Sequence, residues 1–373
     1  MKRILALDGG GVRGALSVAF IERMEALLAD RPGTAGRARL CDHFDLVGGT
    51  STGAIIATAL ALGMSAEDIR AFYFRLAPRV FRRPPFRLPF VGTRFDSRAL
   101  EGEIRSIIGP RKLETPDLKT ALGIVMKRLD TGSAWIVTNN PGAKYWDDPP
   151  DGAFIGNRHY QLADLLRAST AAPYYFAPRE VAIVDGEPPG LFVDGGMTPH
   201  NNPALALFRI ATVPAYGFGW PTGVERLHIV SIGTGSWRRI YAAGEAQRMT
   251  AIHLAFQALQ GLIADNSVEV LTLMQMLGRS DTPWTINSEI GDLSGVQVPV
   301  EPLFVFQRFD VRLERDWLRR ELGITVGEEH LGDLRRLDRA DNVPLLHELG
   351  QAAAERFVEA RHLFAPDTAA PAG

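Results

Sequence analysis

Ser51 stands in Gly49-Thr50-Ser51-Thr52-Gly53, straight after the apolar run Phe44-Asp45-Leu46-Val47 and straight before Ala54-Ile55-Ile56-Ala57. A serine between glycines where a strand turns into a helix is a nucleophile elbow. The turn is so tight that Gly49 and Gly53, two residues either side of the serine, must lack side chains. The helix N-terminus then brings backbone N–H groups near the hydroxyl, where they favour developing negative charge. The pattern points to serine hydrolase chemistry with Ser51 as nucleophile, which requires an activating base and an oxyanion hole.

Asp8-Gly9-Gly10-Gly11-Val12-Arg13-Gly14 follows a strand and opens a helix. Consecutive glycines let several N–H groups face one concavity, so Gly9, Gly10 and Gly11 are candidate oxyanion donors, and Arg13 adds a fixed charge nearby. The rival reading is a nucleotide phosphate cradle, since Gly9, Gly11 and Gly14 fit the Gly-x-Gly-x-x-Gly frame. No acid ends a strand about 20 residues on, as a dinucleotide site wants. For the base, none of the eight histidines lies in a late loop after an acid, the order an α/β-hydrolase triad uses. Asp194 ends the strand Leu191-Phe192-Val193 and precedes Gly195-Gly196. A carboxylate there can take the serine proton directly, or it can simply shape its own turn. His200 is a reserve base.

These groups must be held by strands and helices. Strands are expected at Lys2–Leu7, Phe44–Val47, 120–129, 134–138 and 226–232, with a hairpin at 179–184 and 190–194. Helices are expected at 15–28, 52–62, from Ser65, 96–108, 162–169 and from Pro203. Further on, 249–277 reads as a long helix, mostly core, 303–312 as a strand, and 315–322 and 343–364 as helices. Arg79 to Phe95, rich in Pro, Arg and Phe, should form no regular element. The alternation of strands and helices implies a three-layer α/β/α sandwich with a mostly parallel central sheet and additional C-terminal helices.

A formal net charge of −2 argues against a dedicated nucleic-acid binder. The single cysteine, Cys41, cannot form an internal disulfide, no export signal is visible, and the uncharged stretch from Val47 to Ala66 is apolar only over Ala54–Leu62. The expected location is cytoplasmic, peripheral at a membrane. No internal repeat or long linker divides the chain, so residues 1–364 are expected as a single catalytic domain, with 365–373 as a disordered tail.

Three ordered motifs, Asp8 to Gly14, Gly49 to Gly53 and Asp194-Gly195-Gly196, resemble those of the patatin-like phospholipases. Arg167-Ala168-Ser169-Thr170-Ala171-Ala172-Pro173, Asn201-Asn202-Pro203 and Val230-Ser231-Ile232-Gly233-Thr234-Gly235 are similar to family segments as well. The likeness covers roughly residues 1–240 and leaves the mainly helical 241–364 open. It implies a Ser–Asp dyad of Ser51 and Asp194, an oxyanion region at Gly9, Gly10, Gly11 and Arg13, and hydrolysis of phospholipid or lysophospholipid esters without histidine, metal or cofactor. Two alternatives stand beside it. One is an effector phospholipase switched on by a nucleotide second messenger. The other is a non-enzymatic protein that binds a nucleotide in the glycine loop.

Residues 79–95 carry no acid and interleave arginines with phenylalanines. Arg82, Arg83, Phe86, Arg87 and Phe90 are therefore candidates for docking to a lipid headgroup layer. The bland alternative has the rings on the core and the arginines in solvent.

Overall fold

The computed structural model describes residues 1–30, 38–82, 93–238, 244, 247, 249–296 and 300–364. Its centre is a nine-stranded sheet. The strands are β1 (Lys2–Leu7), β2 (Leu46–Thr50), β3 (Ala121–Arg128), β4 (Ala134–Thr138), β5 (Arg179–Val181), β6 (Gly190–Asp194), β7 (Leu227–Ile232), β8 (Arg279–Thr282) and β9 (Val305–Phe309). Hydrogen-bonded neighbours follow the path β5-β6-β3-β2-β1-β7-β9-β8, with β4 also paired to β3. Pairing is parallel from β3 through β2, β1, β7 and β9 to β8, and antiparallel where β4 and β6 meet β3 and β5 meets β6.

The period-two alternation of β1 builds two cores. Leu5 and Leu7 face one, Ile4 and Ala6 the other. The first is filled by α1 (Gly14–Ala29), α3 (Thr52–Ala61), α4 (Ala66–Val80), α5 (Ser97–Ile108), α6 (Leu162–Ser169) and the late helices α9 (Arg315–Leu322), α10 (Glu328–Leu334) and α11 (Val343–Phe357), with the short α2 (Leu40–His43) at its edge. The second is closed by α7 (Ala204–Thr212) and the C-terminal half of α8 (Ala251–Leu277). Helices on both faces of a largely parallel sheet make the expected α/β/α sandwich. No helix among the described residues is long and apolar enough to cross a membrane.

Local signals behave as their chemistry dictates. Ser65 caps α4 by accepting from the Asp68 N–H, and Asp96 caps α5 through the Arg98 N–H. Four expectations need correction. Strand β2 begins later than Phe44 and runs through Gly48 and Gly49, because β1 and β3 supply hydrogen-bond partners on both sides of those glycines. Helix α4 continues through Arg79 to Val80, since Val80 is buried and the Arg79 guanidinium pairs with Glu103 at 2.8 Å. Helix α11 stops at Phe357 rather than reaching Phe364. Helix α8 is not mostly core: from Ala251 to Glu269 none of its described side chains is buried, and burial begins at Val270. The part after residue 240 also holds two strands, β8 and β9, and β9 pairs directly with β7. The expected tail at 365–373 lies outside the described residues.

Candidate active site

One edge of β3 explains how Ser51 and Asp194 meet. Strands β2 and β4 both pair with Gly123–Val125, so they take opposite edges; β4 and β6 both pair with Met126 and Lys127, so they do too. Strands β2 and β6 therefore share an edge and run toward each other along it. The first ends with Thr50 opposite Val125, the second with Asp194 opposite Met126. Consecutive rungs of one ladder thus place the two chain ends tip to tip.

At the tip of β2 the chain turns into α3 through Ser51, whose φ of 55° is unusual for a residue with a side chain. A Cβ on Gly49 would lie 2.2 Å from the Gly53 carbonyl carbon, and one on Gly53 would lie 2.2 Å from the Leu7 carbonyl oxygen. Both are backbone atoms that cannot step aside. The Ser51 N–H donates to Ser169 Oγ at 2.9 Å, and that hydroxyl donates to the Val125 carbonyl at 2.7 Å. Ser169, from α6, thus ties the strained turn to β3 just where β2 leaves it.

The Ser51 hydroxyl donates to Asp194 Oδ2 at 2.6 Å, while Asp194 Oδ1 accepts the Gly196 N–H at 2.7 Å. Asp194 is buried. Burial pushes its pKa up to about 6, against the opposing pull of the Ser51 and Gly196 hydrogen bonds and the Arg167 charge. The carboxyl is therefore a stronger proton acceptor than an exposed aspartate and still largely ionised at neutral pH.

The glycine loop faces this pair. A Cβ on Gly9 would lie 3.2 Å from Ser51 Cβ and 2.6 Å from Asn201 Oδ1. Its N–H is committed to the Asn201 carbonyl at 3.0 Å. That leaves Gly10, whose N–H makes a long 3.3 Å contact to Thr52 Oγ1, and Gly11, whose N–H has no partner among the described residues. The Arg13 guanidinium is directed to the Gly235 carbonyl at 3.4 Å and lies over the Trp237 ring.

A cavity opens over Ser51, Asp194 and the glycine loop. Its wall is mostly hydrocarbon, including Ile55, Leu76, Val80, Leu100, Phe176 and Ile263. Phe81 also lines it, stacked edge-on against Phe95 and Phe176. These two rings of the arginine–phenylalanine stretch are thus turned inward, while Arg82 is exposed. Arg83, Phe86, Arg87 and Phe90 lie outside the described residues.

His200 is not among the cavity's lining residues. Its ring contacts Arg209 at 3.1 Å, its carbonyl accepts the Thr50 hydroxyl, and burial first, then Arg209, lowers its pKa to about 4. It is a neutral structural histidine beneath the elbow. His347 pairs with Glu22 at 2.6 Å, between α11 and α1.

A buried ionic cluster lies under the glycine loop, and no sequence motif marks it. Arg308, in β9, donates to Asp8 Oδ2 at 2.7 Å, to Asp310 at 2.9 Å and to the Ser231 hydroxyl at 2.7 Å. Burial works against the Arg308 charge, but the two carboxylates outweigh it and hold its pKa above the ordinary arginine value. Burial likewise lifts Asp8 to about 6 against the pull of Arg308. Leu337 was equally unforeseen: its carbonyl accepts the Val12 N–H at 2.9 Å, closing the glycine loop from the far end of the chain.

The family model for patatin-like phospholipase matches residues 5–208, more than half of the chain. The chain belongs to this family. It is 29% identical over 242 residues to the cGAMP-activated phospholipase of Vibrio cholerae, covering 62% of this chain and 64% of that protein. To Patatin-17 of Solanum cardiophyllum it is 27% identical over 271 residues, covering 68% and 66%. To the cUMP-AMP-activated phospholipase of Escherichia coli it is 29% identical over 277 residues, covering 74% and 77%. The chain thus spans just under two thirds of the length of the first two relatives.

Proposed function

We propose that the protein is a serine acyl hydrolase of phospholipid or lysophospholipid esters. The observation that carries this reading is the 2.6 Å hydrogen bond from Ser51 to the buried Asp194 at the floor of an apolar cavity. Ser51 Oγ attacks the ester carbonyl carbon as its proton passes to Asp194 Oδ2. The carbonyl oxygen becomes an oxyanion held by the Gly10 and Gly11 amides. When the tetrahedral intermediate collapses, the C–O bond to the alcohol breaks, and the leaving alkoxide takes the proton from Asp194. Water then attacks the acyl-serine, giving its proton to Asp194, and the fatty acid leaves as Ser51 recovers that proton. The hydrocarbon wall accommodates the acyl chain and keeps bulk water from the dyad. A peripheral membrane position for the protein belongs to the same reading, since its substrate sits in lipid.

The test is hydrolysis of a short-chain p-nitrophenyl ester and of phospholipid vesicles by wild type and Ser51→Ala. Activity retained in the variant removes the mechanism.

A second reading concerns control. Two relatives are named as phospholipases activated by cyclic dinucleotides. What favours the same regulation here is a cavity rich in arginine and tryptophan that abuts the glycine loop. A phosphate cradle in the glycine loop itself gains no support: the spaces left by the missing side chains of Gly9, Gly10 and Gly11 are filled by Asn201, Thr234 and Leu337.

A further inference from the structure

Behind the glycine loop lies a second cavity, open to solvent. Its lining differs in kind from the hydrocarbon wall around Ser51. Trp237 carries the Arg13 guanidinium 4.7 Å from its ring centre, and Trp284 carries that of Arg312 at 5.1 Å. Arg335 reaches in from the turn after α10, donating to the Leu313 carbonyl and approaching Glu328 at 3.6 Å.

Charge in this cavity is unbalanced. Its lining sets Arg13, Arg238, Arg308, Arg312 and Arg335 against Asp8, Asp310 and Glu314, and both aspartates accept from Arg308. Burial lowers the Arg312 pKa despite the nearby Glu314 and Asp310, so the attraction of an added anion would offset part of that cost. Indole faces beside guanidinium groups suit a ligand that combines a flat ring with phosphate. A phospholipid headgroup brings the phosphate but no ring to occupy the tryptophans.

We propose that this cavity is an effector site for a nucleotide, with bases on Trp237 and Trp284 and phosphates on Arg312 and Arg335, and that occupancy fixes the glycine loop for catalysis. The proposal rests on the nucleotide-control reading above and gives it a location. The link to catalysis is a shared wall. Arg13, Asn201, Gln260, Ile263 and Leu337 border both cavities. Asn201 Nδ2 and Thr234 Oγ1 donate to the Gly9 carbonyl at 3.3 and 2.9 Å, and Leu337 holds the Val12 N–H. A ligand seated against Thr234, Gly235 and Leu337 therefore bears on the residues that aim the Gly10 and Gly11 amides.

The test is calorimetric titration of the full chain with purine–purine and purine–pyrimidine cyclic dinucleotides, ATP, inorganic phosphate and glycerophosphocholine. It is paired with p-nitrophenyl ester hydrolysis with and without each compound. At least one nucleotide should bind, Ser51→Ala should bind it equally, and Trp284→Ala and Arg312→Ala should each weaken it about tenfold or more. The same nucleotide should raise wild-type kcat/KM several-fold. Trp284→Phe, which keeps a ring, should retain part of the affinity and guards against misfolding of the alanine variant. The proposal is overturned if no nucleotide binds at millimolar concentration, if both variants bind normally, or if phosphate or glycerophosphocholine binds as tightly. It also fails if nucleotide binding leaves hydrolysis unchanged. Hydrolysis that survives in Ser51→Ala, with nucleotide binding intact, would instead remove the catalytic reading and leave this site standing.

Discussion

Asp194 receives the Ser51 hydroxyl at 2.6 Å through one oxygen and the Gly196 N–H at 2.7 Å through the other. Both carboxylate oxygens are thus oriented by groups fixed in backbone turns, and the serine proton has one place to go. Ser51→Ala should therefore lower ester hydrolysis by at least ~10³-fold. Asp194→Asn should lower it nearly as much, because members of such a pair act as a unit. Rates on a p-nitrophenyl ester, with melting curves to confirm folding, measure both; an active Asp194→Asn would contradict the base assignment.

The raised pKa of Asp194 has two pH consequences. The base works as a carboxylate, so kcat/KM should climb with pH through about 6 and level off above it. For stability the sign is opposite. The folded carboxyl binds its proton more tightly than the unfolded one, so its stabilising contribution is full below the ordinary value of 3.8 and is lost as pH rises through about 6. Asp194→Asn should then be more stable than wild type at pH 8, by up to about 3 kcal/mol, with the gap closing toward pH 4. Asp8 titrates in the same window, so the comparison of wild type with the variant, by urea midpoints at several pH values, is what isolates Asp194.

His200 supplies a contrast. Its ring is engaged by Arg209 and its carbonyl by Thr50. His200→Ala should keep activity within about tenfold of wild type while lowering stability by about 1–2 kcal/mol. A dead but fully folded His200→Ala would reopen the histidine as base.

The Arg308 cluster should behave as a buried charge group. Arg308→Met leaves Asp8 and Asp310 buried without their cation and should destabilise the fold by about 3–5 kcal/mol. Chemical denaturation at pH 7 measures the loss. A change below about 1 kcal/mol would mean that the carboxylates find other partners.

Two glycines offer a matched comparison. A side chain at Gly53 meets the Leu7 carbonyl, whereas one at Gly102, in α5, meets nothing within 4 Å. Gly53→Ala should abolish soluble expression or activity, while Gly102→Ala should stabilise by about 0.5–1 kcal/mol. Equal melting temperatures for the two would contradict the elbow's packing.

What could be read from the sequence was local. Ser51 and Asp194 each sit in a short pattern of glycines at a strand end, and the order of the elements fixed a layered α/β fold. What escaped was contact between distant segments. Arg308 pairs with Asp8 across 300 positions of chain, and nothing around Arg308 marks it as special. Leu337 acts through its carbonyl, which every residue possesses. Ser169 lay within a recognised segment, but its hydroxyl's place between Ser51 and Val125 depends on where β2 ends. Helix α8 misled for a related reason: an apolar sequence shows which residues seek cover, not whether cover is supplied.

The arrangement of β2 and β6 along one edge of β3 decides which changes in chain length the protein can absorb. Extra residues in the irregular stretch between β4 and α6 lengthen the path from Ser51 to Asp194 without altering the rungs on which they sit. A single deletion inside β6 is another matter. It would shift the strand by one position and send the Asp194 carboxyl through to the opposite face of the sheet. Insertions of many residues outside the ladder should thus be milder than the loss of one within it.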